Sequence, residues 1–121
     1  MKITIAQLNP LVGDIEGNVV KICRTMAEVN GRSDLVIFPE LFLAGYPPRD
    51  LLERADFLAA VRAGIQAVVD ISRDHPRSGI LFGAPQETGR ECGKGLYNAA
   101  ILAERRSEEH TSELQSRHNR G

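Results

Sequence analysis

Three absences limit the kind of protein that this sequence encodes. Cysteine occurs only twice in 121 residues, at distant positions, which excludes a disulfide-stabilised scaffold and predicts a reducing cytoplasm as the location. Charge of one sign is not in excess, since 15 basic and 16 acidic residues leave a net charge of −1, so no nucleic-acid partner is expected. No apolar run approaches a membrane span, and the first residues open a strand pattern rather than a signal peptide, so no membrane association is expected.

What is present is the composition and periodicity of one small globular α/β domain. The apolar fraction of 42% and the charged fraction of 26% are ordinary for such a domain. In chain order, the sequence predicts a strand at 2–8, a helix from the N-cap Asp14 to Gly31, a strand at 35–38, a short helical turn at 50–54, a helix at 56–74 and strands at 79–83 and 96–102. This β-α-β-α-β-β order predicts an α/β fold with helices on at least one face of a sheet.

The stretch from Asp34 to Leu52 contains the residue with the clearest chemical potential. Residues 35–38 are a continuous apolar run, which predicts a strand buried on both faces, and Pro39 ends it because proline has no N–H to donate. Glu40 then lies at the carboxyl end of a buried strand, where α/β folds place their chemistry. Apolar neighbours are expected to shield its carboxylate partly, an environment that suits a general base. The alternative is a surface carboxylate or an ion-pair partner.

Several motifs resemble one family. Residues 37–52, which read IFPELFLAGYPPRDLL, resemble the first catalytic segment of the carbon–nitrogen hydrolase (nitrilase) superfamily. They resemble most closely the amino-terminal glutaminase domain of glutamine-dependent NAD+ synthetase. Other segments agree with the same family: IAQLNP at 5–10, Gly13-Asp14 with Asn18, GAP at 83–85 and LYNAA at 96–100. The resemblance covers residues 1 to about 104.

The resemblance implies a fold and a reaction. The fold is a four-layer α-β-β-α sandwich, of which this chain would form part. The reaction is hydrolysis of the glutamine side-chain amide by a cysteine–glutamate–lysine triad, with Glu40 as the general base. Tyr46 and Pro47 become candidates for shaping the glutamine pocket, although Tyr46 packed as a lid on the core is an equal alternative.

The resemblance also implies partners. The released ammonia would pass to a synthetase domain that amidates nicotinic acid adenine dinucleotide with ATP and Mg2+. The parent enzyme is expected to be a cytoplasmic homo-oligomer, and no cofactor is expected within residues 1–104 themselves.

The other two residues of the triad have no counterpart in the sequence. In the family the lysine and the cysteine follow the strand at 96–102, where this chain instead reaches its last residues. Cys23 falls beside the apolar face of the first helix and is expected to be a buried structural thiol. Cys92 and the nearby Lys94 lie in a glycine-rich turn that lacks the family's cysteine context and the spacing of a phosphate-binding loop. The chain is therefore predicted to lack glutaminase activity.

Histidine gives no indication of a metal site. The three histidines are His75, His110 and His118, and their spacing does not match that of metal ligands.

Residues 105–121 depart from the pattern of the rest. Only Leu114 is strongly apolar there, so the segment has little to bury and is predicted to be disordered. Residues 106–116 resemble the translation of a common sequencing-adapter oligonucleotide. This predicts a carbon–nitrogen hydrolase segment at 1–104 and a non-native tail at 105–121. A natural charged tail is the alternative.

Two other functions stay open. One is a stand-alone amidase of the same superfamily, which GYPPRDLL at 45–52 disfavours. The other is a non-catalytic α/β interaction module, which would have to fold stably as 121 residues. The opposite is expected, because half of a double sheet would be missing and its strand edges exposed.

Overall fold

The computed structural model describes residues 1–45, 54–87, 96–104 and 107–113, and of residues 87, 96–97 and 107–113 it describes the backbone alone. Its elements are β1 (Ile3–Ile5), α1 (Ile15–Val29), β2 (Leu35–Ile37), α2 (Ala55–Arg73), β3 (Gly79–Glu87), β4 (Leu96–Glu104) and β5 (Ser107–Glu113). The predicted α/β class and the β-α-β-α-β-β order are confirmed, with ends shifted by a few residues. The predicted helical turn at 50–54 lies outside the described residues except for Arg54.

The strands form one sheet in the order β1-β2-β3-β4-β5. The first three strands are parallel, with Ile5 opposite Ile37 and Ile37 opposite Leu81. β4 runs antiparallel to both β3 and β5. The carboxyl ends of β1, β2 and β3 therefore meet at one edge of the sheet, which is the edge that parallel α/β folds use for chemistry.

α1 begins and ends where the sequence predicts. The Asp14 carboxylate accepts a hydrogen bond of 3.0 Å from the Gly17 N–H, which caps the amino terminus. At the other end Asn30 adopts the left-handed conformation and its N–H donates to the Met26 carbonyl. The helix buries a stripe at helical spacing, Ile15, Asn18, Ile22, Met26 and Val29. No helix in the described part of the chain is long and apolar enough to cross a membrane.

One face of the sheet is covered by both helices. Alternate residues of the central strands face this layer and are fully or almost fully buried: Val36, Ile80, Phe82, Ile101 and Ala103. α2 contributes Phe57, Val61, Ile65, Val68 and Val69 from its inward face. These residues and the apolar members of the stripe of α1 form one cluster. The core of the described chain therefore lies between the sheet and its two helices.

The opposite face of the sheet is apolar but has much less cover. In β1, Ile3 is 51% exposed and Ile5 is 65% exposed. The residues that continue these rows across the sheet, Leu35, Ile37, Leu81 and Leu102, are each partly buried. We call these six residues the open face. Their exposure corrects one detail of the prediction, because β2 is fully buried on one face only.

The backbone of Ser107–Glu113 departs from the predicted disorder for these seven residues of the tail. It forms β5, which pairs with β4 from Ala99 opposite Glu113 to Glu104 opposite Ser107. Pairing of this kind needs only backbone N–H and C=O groups, which the free edge of β4 offers to any extended segment. The apolar content of the segment is therefore a poor guide to whether it pairs. The adapter origin of the tail stays a prediction.

Candidate functional site

Glu40 lies immediately beyond β2, as the sequence predicts. The Phe38 N–H still donates to the Leu81 carbonyl at 2.8 Å, and Pro39 then has no N–H with which to continue the ladder. The Glu40 side chain is exposed. Within the described residues the carboxylate is therefore not enclosed by apolar neighbours, and it is accessible to groups from elsewhere.

The turn that carries Glu40 is held in place by buried side chains and by its own backbone. Leu41, Phe42, Leu43 and Ala44 are all buried, the last three completely. The Phe42 N–H donates to the Pro39 carbonyl at 3.0 Å, and the Gly45 N–H donates to the Leu41 carbonyl at 2.7 Å. The turn is thus anchored to the core by four consecutive residues, while its one carboxylate remains at the surface.

Leu41 has a backbone conformation that costs free energy. Its φ is +57°, in the left-handed region, which a residue with a Cβ enters at a cost of about 1–2 kcal/mol. Strain of this kind persists only where the surrounding contacts over-determine the backbone, and it is concentrated at functional sites. Since Leu41 follows Glu40 directly, the strained residue fixes the direction in which the chain leaves the carboxylate.

β3 passes so close to this turn that it needs a glycine. A Cβ placed on Gly83 would lie 2.5 Å from the Leu41 nitrogen and 3.4 Å from the Glu40 Cα. The Gly83 carbonyl also accepts a hydrogen bond of 3.3 Å from the Leu43 N–H. Gly83 therefore lets the strand support the Glu40 turn by direct backbone contact.

The side chain of Asn18 joins this turn to the loop after β1. Asn18 is completely buried in the inward stripe of α1. Its Nδ2 donates to the Leu43 carbonyl and to the Leu11 carbonyl, both at 2.9 Å, and its Oδ1 accepts from the Leu11 N–H at 2.8 Å. The Gly13 N–H, on the same loop, donates to the Ala44 carbonyl at 3.0 Å. Two loops at the same edge of the sheet are thus fastened to one helix.

Most of the other sequence candidates fall outside the described residues. Tyr46 and Pro47, proposed for the substrate pocket, lie outside the described residues, as do Cys92 and Lys94. Cys23 is a free thiol and is exposed, so its expected burial is wrong. The inward stripe of α1 passes through Ile22 and Met26, and Cys23, one residue further round the helix, falls outside it.

The described residues offer no cluster of metal ligands and one small pocket away from Glu40. Among the described residues, no three His, Cys, Asp or Glu side chains are grouped so that they could hold a metal ion. One small pocket, of about 100 Å³, lies between α2 and β3, lined by Leu58, Val61, Arg62, Pro85 and Gln86. Glu40 is not among its lining residues, so this pocket does not define the environment of the carboxylate.

Two residues that matter for the site had no role assigned from the sequence. Asn18 and Gly83 belong to the motifs that resemble the family, but neither motif shows what the residue contacts. The available signal for Asn18 was its position, since it is the polar residue in a stripe that otherwise contains Ile15, Ile22, Met26 and Val29. No local signal existed for Gly83, because its contact is with a residue more than forty positions away.

A comparison with known families assigns the class of protein. The model of the family described as Carbon-nitrogen hydrolase matches residues 2–120. The chain belongs to the carbon–nitrogen hydrolase family. Glu40, on its anchored turn, lies within the matched residues.

Curated relatives place the chain more narrowly. It is 45% identical over 75 residues to a glutamine-dependent NAD(+) synthetase from Thermotoga maritima, an alignment that covers 61% of this chain and 13% of the relative. The chain spans less than a fifth of the length of the curated relatives that it matches, between 13% and 19%.

Solved structures confirm the fold. A glutamine-dependent NAD(+) synthetase from Cytophaga hutchinsonii superposes with a TM-score of 0.76 over 96% of this chain and 19% of that one, at 23% identity. An amidase from Nesterenkonia sp. superposes with a TM-score of 0.74 over 96% of this chain and 42% of that one, at 22% identity. The described α/β arrangement is thus a nitrilase-type fold, as the sequence resemblance implies.

Proposed function

We propose that this chain is the amino-terminal part of the glutaminase domain of a glutamine-dependent NAD+ synthetase, with Glu40 as its general base. The observation that carries the proposal is the accessible Glu40 carboxylate on a turn that is buried and hydrogen-bonded on either side of it. A general base must be both available to its partner and held in place, and this turn provides both. The curated relatives named glutamine-dependent NAD(+) synthetase supply the substrate class.

The proposed chemistry begins with transfer of a proton from a cysteine thiol to Glu40. The thiolate attacks the carboxamide carbon of glutamine, and a lysine stabilises the oxyanion of the tetrahedral intermediate. Collapse of this intermediate breaks the C–N bond, and Glu40 returns the proton to the departing ammonia. Glu40 then takes a proton from water, which attacks the thioester and releases glutamate and the thiol.

The parent enzyme would use this ammonia in a second reaction. In the proposed synthetase domain, ammonia amidates nicotinic acid adenine dinucleotide, with ATP and Mg2+ as cosubstrate and metal. Neither group is assigned to residues 1–104. A homo-oligomeric state and a cytoplasmic location are proposed for the parent on the same resemblance.

The cysteine and lysine of this mechanism are assigned outside residues 1–104. Cys23 lies on α1 and is exposed, and no described contact links it to the Glu40 turn. We therefore propose that the 121-residue chain does not hydrolyse glutamine. The exposure of Glu40 agrees with this proposal, because a carboxylate whose catalytic partners are missing has a free side.

A second candidate is a stand-alone amidase of the same family. It is compatible with the likeness in fold to the Nesterenkonia amidase, which superposes with a TM-score of 0.74 at 22% identity. In two solved structures of that amidase a glutamate is substituted. One shows covalent addition of the acetamide moiety of fluoroacetamide at the active-site cysteine, and the other shows addition of acrylamide at the same cysteine. Glu40 would have the same role in either enzyme. An ATP-dependent domain in the sequence that follows residue 104 at the source locus distinguishes the synthetase from the amidase.

The catalytic role of Glu40 is tested in a complete enzyme. We define the hybrid synthetase as residues 1–104 joined to the remainder of the Thermotoga maritima synthetase. In it, Glu40→Gln is expected to lower glutamine hydrolysis at least about 100-fold, the typical contribution of a general base. NAD+ formation from added ammonium should stay near the unsubstituted rate, because ammonia bypasses the glutaminase step.

The control is Glu28→Gln, which changes an exposed glutamate on the outer side of α1 and should leave both rates unchanged. Full glutamine hydrolysis by Glu40→Gln would overturn the assignment of the base. Ammonia release from glutamine by the 121-residue chain itself would overturn the proposal that its partners lie elsewhere.

A further inference from the structure

We propose that Asn18 is a positioning residue for Glu40: its buried amide fastens the Glu40 turn to α1 and so sets where the carboxylate stands. This inference rests on the proposed role of Glu40 and extends it to a residue that does not touch substrate. The turn is anchored at a residue on each side of Glu40, at Phe38 by the Leu81 carbonyl and at Leu43 by Asn18 and Gly83.

The first step is the burial of Asn18. Its side chain is completely buried in a stripe of α1 whose other members are apolar, and a primary amide in such a position is unfavourable unless it is hydrogen-bonded. The Oδ1 accepts from the Leu11 N–H, and the Nδ2 donates both of its hydrogens to backbone carbonyls, of Leu11 and Leu43. Every hydrogen of this amide is therefore committed to fastening a loop.

The second step is what these contacts hold. The Leu43 N–H donates to the Gly83 carbonyl, and the Leu43 carbonyl accepts from the Asn18 Nδ2. Leu43 is therefore hydrogen-bonded to β3 on one side and to α1 on the other. Leu41, two residues earlier, is in the left-handed region with φ of +57°. A strained backbone relaxes when an anchor is lost, and Glu40 is directly next to this strained residue. Loss of the Asn18 contact is thus expected to move the carboxylate.

The third step is the choice of amide. Aspartate has nearly the same shape and can accept from the Leu11 N–H, but it cannot donate to either carbonyl and would face both with a negative charge. Leucine fills the site without any hydrogen bond. Asn18→Asp and Asn18→Leu therefore remove the same two hydrogen-bond donations. The first variant adds a negative charge and the second does not, so an effect that both share identifies the lost donations as the cause.

The test uses the hybrid synthetase. Asn18→Asp and Asn18→Leu are each expected to lower kcat for glutamine hydrolysis about 100-fold, the loss that a displacement near 1 Å produces, and to change KM much less. The control is Met26→Ala, a completely buried residue two turns further along α1. It should lower thermal stability while kcat, measured where the enzyme is folded, stays within about 2-fold.

A double substitution separates positioning from general structure. If Asn18 acts through Glu40, Glu40→Gln with Asn18→Leu should be no slower than Glu40→Gln alone, because the base that Asn18 positions is already gone. Multiplicative losses would overturn the positioning role while leaving the role of Glu40 intact. If Glu40→Gln alone hydrolyses glutamine at the full rate, the proposed function fails instead.

Hydrogen exchange tests the contact without catalysis. In the hybrid synthetase, Asn18→Leu is expected to increase the exchange rate of the Leu11 amide, which donates to Asn18, relative to that of the Val36 amide in the centre of β2. The Leu43 amide, which donates to Gly83 in the segment that Asn18 holds, should also exchange faster. Unchanged relative rates would overturn the proposal even if the hybrid enzyme were inactive.

Discussion

The two faces of the sheet show how differently the same kind of sequence can be used. Ile80 and Leu81 are neighbours in β3, yet Ile80 is completely buried under the helices and Leu81 is only partly buried on the open face. In β1, Ile3 and Ile5 are more than half exposed. The strands therefore carry apolar residues on both faces of the sheet. Among the described residues, only the face under the helices is covered. The four-layer arrangement implied by the family places a second sheet on the open face.

The largest expected effect concerns the neighbours Ile80 and Leu81. If the 121-residue chain resists digestion without urea, Ile80→Ala should lower its free energy of unfolding by about 2–5 kcal/mol, because it leaves a cavity in the covered core. Leu81→Ala should cost less than half as much there. In the hybrid synthetase, where the four-layer arrangement implied by the family would cover the open face with a second sheet, the two losses should become similar. Pulse proteolysis across a urea series measures both proteins.

This comparison is contradicted if Ile80→Ala and Leu81→Ala cost the same free energy in the 121-residue chain as well as in the hybrid synthetase. Equal loss in the 121-residue chain would mean that the open face is already covered, for example by self-association. A chain that is digested without urea would agree with the expectation that half of the double sheet is insufficient for stable folding.

An intermediate effect is expected where the two covering helices touch. A Cβ on Gly64 would lie 2.6 Å from Cγ2 of Ile15. Overpacking of this kind costs about 1–3 kcal/mol, which exceeds the gain of up to about 1 kcal/mol from replacing glycine by alanine in a helix. Gly64→Ala should therefore destabilise the hybrid synthetase towards thermal inactivation.

The matched test combines the two sites. In an Ile15→Ala background the clashing methyl group is gone, so Gly64→Ala should cost less than it does alone. Additive losses would show that the helices do not depend on this close approach.

The smallest effect is expected on the outer surface of the covering layer. The Arg54 guanidinium donates two hydrogen bonds to Asp56, of 2.7 and 3.1 Å, and these hold the pKa of the Asp56 carboxyl below its ordinary value. A lowered pKa in the folded state contributes stability above the unfolded pKa, and the contribution is lost as the pH falls through the folded pKa. Because both side chains are well exposed, the effect on stability should be barely measurable.

A carboxyl titration followed by NMR checks this direction. Asp56 should titrate below the value of a model aspartate, and Arg54→Gln should return it towards that value. A titration of Asp56 unaffected by Arg54→Gln would show that the pair does not persist in solution.

Much of the fold followed from the sequence because its signals are local. Asp14 caps α1 as predicted, and α2 spans Ala55–Arg73 against a prediction of 56–74. Glu40 was placed correctly because Pro39 ends a strand by its own chemistry. The sequence left open whether its carboxylate is partly shielded or exposed, since shielding depends on parts of the chain far from it. The roles of Asn18 and Gly83 depend on contacts made only after the helix and β3 pack beside the turn.

The edge of β4 that β5 occupies has a practical consequence for anyone who lengthens this polypeptide. β5 pairs with β4 although its sequence, SEEHTSE, is almost wholly polar, so the edge selects for an extended backbone rather than for particular side chains. A purification tag or linker attached after Glu104 would meet the same edge and compete for it. A linker with proline at alternate positions cannot donate in the ladder and would stay off the sheet. Comparing amide protection of β4 with the two kinds of linker shows which extension leaves the edge free.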